Sequence, residues 1–426
     1  MGARRRDHRL RDRHPHRAAG DAALFGRDPA RRGGGRPQGR AGAVSWPRRL
    51  GIAGVALGAI ATTVAVERLT VSRSVRRQAR LALDTAGPYG TLRGTAGWAR
   101  AEDGTQLYYE TDEPAGPEGL AAAEAAALPP GGQGPAGGGE EPVTVVFSHG
   151  YCLSQDVWHF QRAALRGAAR AVYWDQRSHG RSERGRAQRE AKEPVTIDQL
   201  GRDLKAVLDV AAPRGPVVLV GHSMGGMTVM ALAEQFPGYV AERVAGIAFL
   251  GASAGGLTEV TYGMPAPVHW AARKALPGVL RALGSQVELV ERGRRALGDL
   301  YAGLIRRYSF GVPADVDAGV ARFAERLIES VPIDVVADFY PAVSAHDKPG
   351  ALAVLNRLAA RLPVLVLTGD RDEMTPLAHS ERIAAELESA ELVVVPGAGH
   401  LLLLEAPGVV NEQLARLLAR SIQSHE

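Results

Sequence analysis

"PVVLVGHSMGGMTVMALAEQFP", Pro216 to Pro237, is the stretch that decides the fold. Val217 to Val220 form a short apolar run bounded by Pro216 and Gly221. Such a run suits a strand buried on both faces of a parallel sheet. From Thr228 the spacing turns helical through Met230, Leu232, Ala233 and Phe236, and it stops before Pro237-Gly238. Ser223 therefore stands alone on a tight turn from strand to helix. A turn this abrupt strains its central residue and crowds its flanks. Gly221 and Gly225 fit there because a Cβ would collide. The hydroxyl is held exposed at the carboxyl end of the sheet.

Gly221-His222-Ser223-Met224-Gly225 is thus a G-x-S-x-G nucleophile elbow in its proper strand–turn–helix setting. A serine hydroxyl needs a general base to take its proton and a third group to orient that base. In this architecture they follow in the order serine, acid, histidine. Downstream, "LPVLVLTGDRDEMTP" (Leu362 to Pro376) reads as a buried strand running into a turn with Asp370 and Asp372. "AELVVVPGAGHLLLLEAP" (Ala390 to Pro407) reads as another strand, a Gly-Ala-Gly turn and then His400. Both candidates sit at carboxyl ends of strands, where open α/β sheets bind ligands.

These pieces, with "VVFSHGYCLSQDVW" and "YWDQRSHGRS", resemble an α/β-hydrolase of the esterase, lipase and haloperoxidase-like group. The resemblance covers Val143 to the end, and more weakly Gly97 to Glu113, where "DGTQLYYE" looks like the opening hairpin. It implies Ser223 as nucleophile, Asp372 as acid and His400 as base. Asp372 matches the family's spacing from Gly369 and to Pro376, which leaves Asp370 to hold its own turn. It also implies an oxyanion hole from the backbone N–H groups of Met224 and Tyr151. Serine at the elbow argues against the family's epoxide hydrolases and dehalogenases, which use aspartate. His222 is expected to pack under the sheet, and His149 to be a buried, hydrogen-bonded loop residue. Asp175 and Arg177 are expected to tie their turn internally.

From Val143 strands and helices alternate, with "IDQLGRDLKAVLDVA" as a helix. That pattern predicts an α/β fold, a mainly parallel central sheet with helices on both faces. The core is expected over 81–252 and 362–426, with a low-complexity insertion at 114–142. Between its halves, 253–361 has helical periodicity, and the resemblance makes it a helical cap. Trp158, Tyr262, Met264 and Trp270 are candidate pocket residues for an apolar group.

Composition bounds the function. Residues 1–49 carry a net charge of +10 against +5 for the whole chain, so the rest carries −5. The basic charge belongs to the tail, which is Arg/Gly/Pro-rich and reads as disordered. No nucleic-acid site is expected on the catalytic part. Cys152 is the one cysteine and allows no internal disulfide. Neither a metal-spaced cluster nor a dinucleotide fingerprint is present, so no cofactor or metal is expected. "LGIAGVALGAIATTVAV", 50–66, is uncharged and close to the lower length limit of a span. It is expected to act as a membrane anchor, with a signal segment and a buried or interfacial helix as the other readings. The function expected is hydrolysis of a small-molecule carboxylic ester through an acyl-serine. Acyl transfer, carbon–carbon bond hydrolysis and cofactor-free perhydrolysis use the same triad. A low-turnover ligand receptor is the alternative of another class.

Overall fold

The computed structural model describes residues 89–115 and 142–424, apart from 192, 263, 289, 291 and 293–297. The Arg-rich tail, the proposed anchor at 50–66 and nearly all of the low-complexity insertion lie outside them. Among the described residues no helix is long and apolar enough to cross a membrane.

Eight strands form one sheet: β1 (Thr95–Arg100), β2 (Gln106–Asp112), β3 (Thr144–Ser148), β4 (Arg170–Trp174), β5 (Val217–His222), β6 (Val244–Leu250), β7 (Val364–Gly369) and β8 (Ala390–Val395). Their order is β1-β2-β4-β3-β5-β6-β7-β8. β1 and β2 make an antiparallel hairpin, and β2 lies antiparallel to β4. Every later pairing is parallel. The predicted α/β class holds, with the hairpin as its antiparallel edge.

β3, β5, β6 and β7 are buried at every residue, because their alternating side chains feed two cores. Val146, Val172, Leu219, Ile247 and Val366 point to one face. There they meet Leu204, Val207 and Leu208 of α2 (Ile197–Ala211) and Val229 and Leu232 of α3 (Met224–Gln235). Thr196 starts α2, its hydroxyl accepting from the Gln199 N–H at 3.1 Å. Phe147, Tyr173, Val220, Leu250 and Leu367 point to the other face. That face is covered by helices at 159–165 (α1) and 402–405, and by Val410, Leu414 and Leu417 of the helix at 407–423.

The chain leaves the sheet after β6 and returns at β7. Among the described residues the helices between include α4 (Ala266–Gly284), 298–309, 318–329, α5 (Ile333–Ser344) and α6 (Pro349–Asn356). Not all of the stretch expected as a cap stands apart. Ala351, Leu352 and Leu355 of α6 join the first core beside α3. Phe323, in the helix at 318–329, joins the second. The two stems meet: Lys348 N–H donates to Ala254 O at 2.7 Å, and His346 Nε2 lies 3.0 Å from Ser253 O.

Candidate active site

Ser223 has φ 51° and ψ −118°, a conformation that only a tightly held turn sustains in a residue with a side chain. Its N–H donates to Leu250 O at 2.9 Å, tying the turn to the end of β6. The crowding read from the sequence is real. A Cβ on Gly225 would come within 2.0 Å of Ser148 O. A Cβ on Gly150 would come within 2.7 Å of His222 Nδ1 and 3.2 Å of Ser223 Cβ. Gly150 thus brings the loop after β3, and the Tyr151 backbone that follows, directly against the elbow. Met224 opens α3, so its N–H is one of the donors that a helix leaves without an internal partner.

His400 and Asp372 meet across the ends of β7 and β8, with Nδ1 2.8 Å from Oδ2. The carboxylate is fully buried and saturated with donors. Oδ1 accepts from the Met374 and Thr375 N–H groups, both at 2.8 Å. Oδ2 lies 2.7 Å from Thr375 Oγ1. Burial works to raise the Asp372 pKa, but His400 and the Thr375 donors outweigh it and hold it below the usual carboxylate range. Asp372 therefore stays ionised, fit to orient a histidine. The Ser223 hydroxyl makes no hydrogen bond among the described residues, an open geometry common where no substrate is in place.

Asp370 is elsewhere. Its Oδ1 accepts from the Gly397 N–H at 2.7 Å, so it holds the neighbouring turn after β8 rather than its own. Arg177 also reaches beyond its turn. It pairs with Asp203 of α2 at 2.5 Å and with Asp103 at 2.9 Å. Asp175 does brace its own turn, accepting from Arg181 N–H at 2.9 Å, and it also accepts from Gln155 N–H at 2.7 Å.

His222 follows Val220 on the face of β5 that meets the second core, its ring wholly buried with its centroid 6.4 Å from that of Trp158. It also lies beside His400, and Nε2 is 2.9 Å from the His400 carbonyl, to which it donates. It steadies the loop that carries the candidate base. His149 bonds Gly150 O through Nδ1 at 2.8 Å and accepts from the Gln176 N–H at Nε2 at 3.0 Å, which sets its tautomer. Thr375 was missed by sequence reasoning. The signal was present, since a threonine three residues after an aspartate is a local turn-forming pair.

The expected pocket differs. Trp158 is closed off in the core, its ring 5.0 Å from that of Phe147. Trp270 is 62% exposed, with the Lys274 ammonium 4.8 Å from its ring centroid. Met264 is half-buried just ahead of α4. Tyr262 lies edge-on to Tyr308, their ring centroids 6.3 Å apart, and is 39% exposed. Burial raises its pKa, and the charge of Asp372 is among the further causes. The apolar surroundings of the elbow come instead from Met224 and Met227 of α3 with Val335 and Phe339 of α5. The Tyr151 hydroxyl donates to Val336 O in the same helix, joining the loop after β3 to the cap.

Burial lowers the pKa of His149 and His222 to about 3 and of His179 to about 4, from 6.5. All three are neutral in the fold and take up protons on unfolding. Their folded pKa lies below the unfolded one, so stability is intact above about 6.5 and is lost as pH falls toward 4. Each contributes a slope of about 1.4 kcal/mol per pH unit in that window. Asp175, pushed up to about 6 by burial, works against them below pH 6. Urea midpoints should therefore fall between pH 7 and pH 5. His149→Gln should flatten that dependence. A midpoint rising toward pH 5 would contradict the neutral assignment.

Comparison with known proteins agrees with this fold. The sequence profile of the alpha/beta hydrolase fold family matches residues 143–407. The dihydrolipoyllysine-residue acetyltransferase component of the acetoin cleaving system of Pseudomonas putida is 27% identical over 285 residues. That match covers 66% of this chain and 65% of the relative, just under two thirds of its length. A non-heme haloperoxidase of Rhodococcus erythropolis is 28% identical over 276 residues, covering 63% of this chain and 90% of the relative. Among solved structures, a thermophilic esterase from Thermogutta terrifontis superposes with a TM-score of 0.54 at 21% identity, over 76% of this chain and 98% of that one. With the profile matched over more than half its length, the chain belongs to the α/β-hydrolase fold family.

Proposed function

We propose that this protein is a serine hydrolase that cleaves carboxylic esters of apolar small molecules or acyl chains. The observation that carries the reading is the buried, donor-saturated Asp372 bonded to His400 at the sheet edge where strained Ser223 is presented. His400 takes the proton of Ser223 as Oγ bonds to the ester carbonyl carbon. The Met224 and Tyr151 N–H groups hold the oxyanion. On collapse the carbon–oxygen bond to the alcohol breaks, and His400 returns the proton to the departing alkoxide. Water then attacks the acyl-serine with His400 as base. The apolar side chains of α3 and α5 around the elbow favour an apolar acyl group.

A fluorophosphonate probe tests the nucleophile, and p-nitrophenyl esters of increasing length test the pocket. Rapid labelling that is lost in Ser223→Ala is expected. Labelling that survives that substitution would sink the reading. The two aspartates separate cleanly. Asp372→Asn should lower kcat by about 10⁴-fold, because an amide beside Nδ1 favours the wrong tautomer. Asp370→Asn should stay within a few-fold, since it breaks only a bond between turns. The reverse order would move the acid to Asp370.

A further inference from the structure

The two oxyanion donors of the proposed reaction come from separate elements. The Tyr151 N–H lies in the loop after β3, and the Met224 N–H opens α3. Both have to point at one oxygen, so their spacing must hold closely. Contact between the elements sets only a lower limit. Gly225 rests on the loop, where a Cβ would come within 2.0 Å of Ser148 O and 2.9 Å of His149 O. An attraction is needed to hold the two against each other.

Gln176, in the turn after β4, supplies it. Its side-chain Nε2 donates to His149 O at 2.6 Å, and its Oε1 accepts from Thr228 Oγ1 of α3 at 2.8 Å. The amide cannot be turned the other way round, because a carbonyl oxygen has no proton to offer Oε1. Thr228 Oγ1 is also 2.9 Å from the carbonyl of Met224, one turn back along the helix. The Gln176 backbone acts on the loop as well, its N–H donating to His149 Nε2 at 3.0 Å. With Nε2 accepting, His149 Nδ1 carries the proton and donates to Gly150 O at 2.8 Å. Gly150 O belongs to the same peptide group as the Tyr151 N–H. A donor at the carbonyl end of a peptide polarises the N–H at its other end.

Gln176, His149 and Thr228 are all fully buried, so water does not compete for these bonds. A glutamine serving the fold alone could join any two neighbours. This one joins the two elements that carry the donors. We propose that Gln176 is a positioning residue for ester hydrolysis, fixing the spacing of the Tyr151 and Met224 N–H groups without touching substrate. The inference rests on the serine-hydrolase reading above.

Gln176→Leu removes the side-chain bridge and leaves the backbone bond to His149 in place. Thr228→Val breaks only the helix end of the bridge, while Thr228→Ser keeps the hydroxyl. Each variant is assayed for kcat and KM on a p-nitrophenyl ester, for Ki of an aryl trifluoromethyl ketone, and for Tm. Ser223 Oγ adds to the ketone carbon as His400 takes its proton, and the resulting alkoxide needs both N–H groups. Losing one oxyanion donor outright costs about 10²–10³-fold in kcat, and a displaced donor costs less. Gln176→Leu and Thr228→Val should therefore lower kcat by about 10- to 100-fold. KM should stay within about twofold, and Ki should rise by the factor that kcat falls. Thr228→Ser should restore both. Should Gln176→Leu fail to fold, the two Thr228 variants decide the matter alone. A lower Tm with kcat and Ki unchanged would make Gln176 a purely structural glutamine and overturn the proposal. So would a change confined to KM. A wild type that neither labels at Ser223 nor turns over an ester would sink the hydrolase reading and this inference together. An active wild type beside equally active variants sinks this inference alone.

Discussion

Ser223→Ala is expected to lower kcat/KM for an ester by about 10⁴- to 10⁶-fold. That corresponds to about 5.5 to 8 kcal/mol of lost transition-state stabilisation. The loss belongs to chemistry, not to folding. Alanine at φ 51° bears the same backbone strain as serine, so Tm should stay where it is. Ser223→Gly separates the two effects further. Glycine adopts this conformation freely, so the inactive variant should be more stable by about 1–3 kcal/mol. Thermal melts beside steady-state kinetics check both halves. A stable Ser223→Ala that still turns over esters would remove Ser223 from the mechanism. An unchanged Tm in Ser223→Gly would mean that the elbow stores no strain.

The second large effect concerns the scaffold. Arg162, on α1, lies between two carboxylates of β2. Its Nη1 is 2.7 Å from Glu110 and its Nε 2.8 Å from Asp112. All three side chains are almost fully buried. Burial alone would raise the Glu110 pKa, yet the Gly94 N–H and the guanidinium keep it lowered. Arg162→Leu leaves two carboxylates without their cation in the core. We expect a loss of about 3–5 kcal/mol, measured by urea unfolding at pH 7. The variant should recover part of this on acidification. Without the cation the folded carboxylate pKa rises above the unfolded value, so stability is present at low pH and lost as pH rises through it. Adding Glu110→Gln and Asp112→Asn to Arg162→Leu should also restore stability, because no buried charge then remains. An Arg162→Leu protein as stable at pH 7 as the wild type would show that water reaches this site.

The elbow was legible because its requirements are local. A buried strand, a glycine on each side and a helix are all visible within Pro216 to Pro237. The order of Ser223, Asp372 and His400 was legible because each follows an apolar run. What sequence reasoning missed depends on which strands are neighbours. Asp370 bonds Gly397 only because β7 and β8 are adjacent. His222 reaches the His400 carbonyl across 178 residues, a contact that no periodicity announces. The pocket was misread for a related reason. Trp158, Met264 and Trp270 are apolar at plausible positions, but an apolar residue can face a core, a cavity or the outside. Only packing decides among these, and it sent Trp158 to the core and Trp270 to the surface.

The hydrogen-bonded meeting of the stems at Ser253-Ala254 and His346-Lys348 has an evolutionary consequence. An excursion of about ninety residues that begins and ends at one point places no demand on the register of β6 and β7. Its length adds little closure entropy, since each doubling costs only about 0.6 kcal/mol. The stretch between the stems is thus an exchangeable module, and a lineage can trade it for another without rebuilding the sheet. Two residues limit that freedom: Phe323, inside the module, packs into the second core, and Tyr151 reaches in from outside. Its hydroxyl is bonded to Val336 inside the module, so an incoming replacement must offer an acceptor at that place or leave the loop beside the elbow without its brace.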